Sequence, residues 1–146
     1  MSVAKSEILC LIYRHFHDQH LAKDSERARA FRLFYAEGGE ELQCQARFEA
    51  LQQHFRRENP AVRSWRDWPP EYLRPEAPAV AAFADEHADS VAFFAWLQWL
   101  ADEQLAGLGQ QACRRGLGVG LGQGLAAGAN PDGSEAWAWQ DVLAAG

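Results

Sequence analysis

Apolar residues recur at intervals of three and four along most of this chain, the period of one helix face rather than of a strand. Ile8, Leu9, Ile12 and Phe16 predict a first helix buried on that side, with Ser6 placed to cap it. A second helix opens at Asp24 or Ser25 and carries Ala28, Phe31, Phe34 and Tyr35 inward. Gly38-Gly39 stops it, glycine being the usual residue just past a helix end. A third helix starts with Glu40-Glu41, where carboxylates suit the positive end of the helix dipole, and turns Cys44, Phe48, Leu51 and Phe55 inward.

The pattern fails between residues 59 and 78, which hold five of the six prolines. Proline lacks an amide donor and clashes with the preceding turn, so this stretch is no continuous helix. Its Trp65, Trp68 and Tyr72 could stack on sugar rings, but such residues more often pin an irregular segment to a core. Pro78 suits the first turn of a new helix, and the period continues past Glu86-His87 through Val91, Phe94, Trp96-Leu97, Leu100, Leu105 and Leu108 to Cys113. That helix is apolar around much of its circumference, which predicts burial on more than one side. Arg114-Arg115-Gly116 ends it with cations and then glycine.

After Gly116 the period changes to two: Leu117-Gly118-Val119-Gly120-Leu121 reads as a strand. A lone strand cannot satisfy its own amides and carbonyls, and no second strand is legible, so its neighbours are expected from further polypeptide. Glycine at every second position offers no phosphate-loop register, since neither GxGxxG nor GK[ST] is present. Ala129 to Ser134 is a run of turn formers leading to Glu135-Ala136-Trp137-Ala138-Trp139.

Composition narrows the chemistry. The 146 residues suit one domain, and 48% apolar content belongs to a globular chain. A net charge of −6, with arginines scattered among carboxylates, disfavours a nucleic-acid partner. No apolar run reaches the roughly 20 residues of a membrane span, and the N-terminus lacks a signal peptide's apolar region, so a cytoplasmic location is expected. Three separated cysteines (Cys10, Cys44, Cys113) read as reduced, buried thiols. His15, His17 and His20 diverge around a helix and make no metal site; no cofactor is implied. The carboxylate pairs Glu40-Glu41, Asp85-Glu86 and Asp102-Glu103 are adjacent in sequence, and adjacent helical residues do not converge on one substrate atom.

Four stretches are less generic. They are Phe31 to Leu51 with its Glu37-Gly38-Gly39-Glu40, then Trp68-Pro69-Pro70-Glu71-Tyr72, Trp96-Leu97-Gln98-Trp99-Leu100-Ala101, and Gly118 to Leu121 leading to Gly133-Ser134-Glu135-Ala136-Trp137. In this order the chain resembles the bacterial 4-alpha-glucanotransferases (amylomaltase, or disproportionating enzyme) from about Phe31 onward. The resemblance implies an internal fragment of a (β/α)₈ barrel enzyme, mostly α as it stands. Residues 1–115 would be an inserted helical subdomain and a barrel helix, and 116–146 one barrel strand with the loop at its C-terminal end. Phe31, Phe94, Trp96 and Trp99 would then cover a sheet supplied by other sequence and lie bare in this chain alone.

The implied activity is retaining transfer of α-1,4-glucan segments between maltodextrins, through a carboxylate nucleophile and a second carboxyl acid/base. The family's catalytic carboxylates come from later strands, so no catalytic residue is assigned and the fragment alone is expected to be inactive. Asp132 could hydrogen-bond sugar hydroxyls and Trp137 could stack on a pyranose, making them the two candidate substrate contacts; a turn role and a packing role compete with these. Gly122, Gln123 and Gly124 stand where the family commonly has Tyr, Arg and Asp. The partners implied are an α-1,4-glucan or maltooligosaccharide and the missing barrel segments. The rival reading is a free-standing helical interaction module without catalysis.

Overall fold

The computed structural model describes residues 3–117 and 130–142. Among the described residues are six α-helices: α1 (Val3–Phe16), α2 (Glu26–Glu37), α3 (Gly39–Glu58), α4 (Pro78–Glu86), α5 (Ala88–Arg114) and α6 (Ser134–Ala138), with shorter helical turns at His17–Leu21, Trp65–Asp67 and Pro70–Tyr72. Among the described residues there is no strand. The chain is mostly α, as its periodicity predicts. The strand expected at 117–121, and the substituted positions Gly122, Gln123 and Gly124, lie outside the described residues apart from Leu117, which follows the end of α5. No helix described is long and apolar enough to cross a membrane.

Local chemistry sets most of the boundaries. Ser25 caps α2 by accepting the Ala28 amide, while Asp24 just before it adopts a left-handed φ of 46° and pairs with Arg32 and Arg29. Gly38 joins α2 to α3 with no room for a side chain, since a Cβ there would stand 2.6 Å from Leu42 Cδ2. Gly116 ends α5 at φ +81°, its amide bonding to Cys113 and that of Leu117 to Ala112, the paired return bonds that glycine makes possible at a helix end.

Four expectations need correction. Helix α1 begins at Val3, so Ser6 lies inside it and does not cap it. Its inward residues are Leu9, Tyr13 and Phe16, and Ile8 and Ile12 point to solvent. Apolar residues occupy so much of its circumference that spacing alone could not choose the face. The helix predicted from Pro78 onward is two helices, α4 and α5, meeting at His87. Apolar spacing runs unbroken across the joint; the bend lets α4 rest on α3 and on the turn Pro70–Tyr72 as well as on α5. Finally, Phe31, Phe94, Trp96 and Trp99 are buried, not bare.

They are buried because the aromatic residues cover one another. Phe16 lies against Phe31, Trp96 and Trp99 at centroid distances of 5.5 to 5.8 Å, uniting α1, α2 and α5. A second nest joins Phe48 and Phe55 of α3 to Trp68 of the proline-rich loop and Trp137 of α6. Helix α5 is buried chiefly from Val91 to Trp99; farther on, Leu105 and Leu108 are exposed, so the expectation of burial on several sides holds only for its first half.

Candidate functional site

Segment 130–142 is held against the proline-rich loop by side chains reaching across to backbone. Pro131's carbonyl accepts from Trp65 Nε1 (3.1 Å) and Arg66 (2.8 Å). Tyr72's carbonyl accepts from Trp137 Nε1 (3.0 Å), and Leu73's from Gln140 (2.6 Å). Trp65 and Trp68 are buried, so this loop's aromatic residues do pin it to the core. Ser64 and Asp67 close a capping box around the turn Trp65–Asp67, and backbone amides of Ser64 and then Arg63 hold Asp67's carboxyl below the usual carboxylate range.

This clasp places α6 over one side of an open groove of about 1130 Å³, whose other walls are α3 and the middle of α5. Amides and carboxylates line it: Gln45 from α3, Gln98 and Asp102 from α5, Glu135 from α6. Among the described residues none of these four side chains makes a hydrogen bond or ion pair. Leu105 and Trp139 add apolar surface. Cys44 also faces the groove, and burial pushes its thiol up, so it stays protonated at neutral pH.

The two residues singled out from the sequence stand apart from this lining. Asp132 accepts from Ser64 Oγ (2.6 Å) and Arg66 (3.1 Å) at an exposed position. Trp137 is 0% exposed and packs on Phe48 and Trp68. Ser134 to Ala138, expected as loop, is the short helix α6, and this explains the exchange of roles. Trp137 lies in the last turn of α6 and Trp139 just past its end, so the two rings point to different sides. Trp139 is the outward one, 54% exposed over the groove. The signal was present as Trp-x-Trp, but choosing between the two rings required the helix to be placed on its neighbours.

A groove whose lining includes unpaired amides and carboxylates beside the Arg47–Glu40 pair, with an indole at its edge, has the chemistry of a polyhydroxyl-binding surface: oxygens to accept hydroxyls and a flat face for a sugar ring. No group of three or more metal-ligating side chains occurs among the described residues.

The chain belongs to glycoside hydrolase family 77, the 4-alpha-glucanotransferases, whose sequence model matches residues 1–146. The 4-alpha-glucanotransferases of Mycobacterium bovis and Mycobacterium tuberculosis are 38% identical over 143 residues, which is 98% of this chain and 18% of theirs. That of Haemophilus influenzae is 29% identical over 120 residues, 80% of this chain and 17% of the relative. The chain thus spans under a fifth of the length of these curated relatives.

Proposed function

We propose that this chain is one segment of a cytoplasmic 4-alpha-glucanotransferase, and that its groove holds part of an α-1,4-glucan while the rest of the enzyme performs the transfer. The family match along all 146 residues carries this reading. In the complete enzyme the segment is the helical insertion and one helix of a (β/α)₈ barrel. Retaining transfer needs a nucleophilic carboxylate and an acid/base carboxyl about 5–5.5 Å apart. No residue of this chain is assigned either role, so the isolated chain should not disproportionate maltotriose; any products longer than maltotriose would overturn that.

Within this reading Gln98, Asp102 and Glu135 accept sugar hydroxyls and Trp139 stacks on a pyranose. Asp132 is a further hydroxyl acceptor at the segment's edge. Direct stacking by Trp137 would require its ring to leave the nest of Phe48 and Trp68, so in the arrangement described it serves by anchoring α6. Maltoheptaose should shift the Trp139 indole N–H resonance, and Trp139→Ala should weaken binding about tenfold, or about 1.4 kcal/mol. Unchanged affinity in Trp139→Ala would remove the groove from the proposal while leaving family membership intact.

A further inference from the structure

The outward face of α1 bears an apolar stripe that is uncovered: Ile8, Leu11 and Ile12 are 58%, 62% and 47% exposed. The helix meets the body through Leu9, Tyr13 and Phe16, and Tyr13's hydroxyl donates to Asp89 at 3.1 Å. Ile8, Leu11 and His15 follow one another at spacings of three and four, the a, d, a rhythm of a helix-pairing seam. Glu7 and Arg14 occupy the position just before each a. Among the described residues neither forms an ion pair, although Arg27, Arg32, Arg66 and Arg74 all do.

Those two charges select a direction of pairing. In a parallel pair the positions before a face those after d, here Ile12 and Gln19, and no ion pair results. In an antiparallel pair the positions before a face each other, setting Glu7 of either chain against Arg14 of the other, twice by symmetry. An isologous contact needs this kind of self-complementary patch.

We propose that two copies of this chain associate through α1, antiparallel, with Ile8 and Leu11 interleaved and Glu7 of each copy paired with Arg14 of the other. The association is independent of glucan binding. The seam covers less than two heptads, so the dimer is weak and its population depends on concentration.

Sedimentation velocity over a concentration series tests it, with circular dichroism verifying that each variant keeps its helix content. The sedimentation coefficient of the 146-residue chain should rise with concentration, and Leu11→Glu should abolish the rise. Glu7→Arg and Arg14→Glu should each weaken association by about fivefold or more, since each sets like charges opposite one another. The double variant should return to within about twofold of the original. A chain that stays monomeric, a rise that persists in Leu11→Glu, or a double variant as weak as the single ones would overturn the pairing.

Discussion

Asp67 accepts the amides of Ser64 at 3.0 Å and Arg63 at 2.9 Å, and its titration is depressed for that reason. A carboxylate with a lowered folded value stabilises at pH above its ordinary titration, and the contribution is lost as pH falls through the depressed value. The Arg63 and Ser64 amides should therefore lose exchange protection in acid, and Asp67→Asn should lack that protection already at neutral pH; equal protection in the variant would contradict the capping role. Cysteines differ in the same local way. The expectation that all three are buried fails: Cys113 is exposed, because the second half of α5 lies beyond the core, whereas Cys44 is half-buried with its thiol pushed up. Iodoacetamide should label Cys113 first, by mass spectrometry of timed digests; Cys44 reacting as fast would mean that the groove is more open than described. The sequence reading missed the Ser64…Asp67 cap inside the proline-rich break, and it could not tell which cysteine is covered.

Among elements, glycine position decides the sign of a substitution. Gly116→Ala forces a side chain into φ +81° and should cost about 1–2 kcal/mol. Gly107→Ala, in the open middle of α5 where a new methyl meets nothing within 4 Å, should instead stabilise by up to about 1 kcal/mol. Thermal midpoints that moved in the same direction for both would refute the helix end described. Helix ends were legible because a cap or a glycine is a local device: Ser25, Gly38-Gly39 and Gly116 are all boundaries. The bend at His87 was not, because Val80, Phe83, Val91 and Phe94 keep helical spacing across it. The irregular turn His17–Leu21, whose Ala22 amide reaches His17's carbonyl at 2.9 Å, likewise has no marker in the pattern.

At the scale of the whole molecule, α6 is a small element with a large share of the core. Trp137→Ala should cost about 3–5 kcal/mol by urea denaturation, whereas Trp139→Ala should change stability by no more than about 0.5 kcal/mol. Similar losses for both would place the two rings in similar surroundings and dissolve the groove's edge. Residues on either side of position 116 share this core, since Phe48 and Trp68 hold Trp137. By itself the sequence determined α1 to α3, the helical run from Pro78 to Arg114, most of the caps, the proline-rich break and the family, because these depend on spacing and on side chains acting within a turn; it missed α6. Only tertiary packing decided which face of α1 turns inward, where α4 leaves α5, and which of Trp137 and Trp139 is covered. Each of those choices offers several apolar surfaces of equal local merit. The winner is the one that lets aromatic rings from distant segments exclude water together.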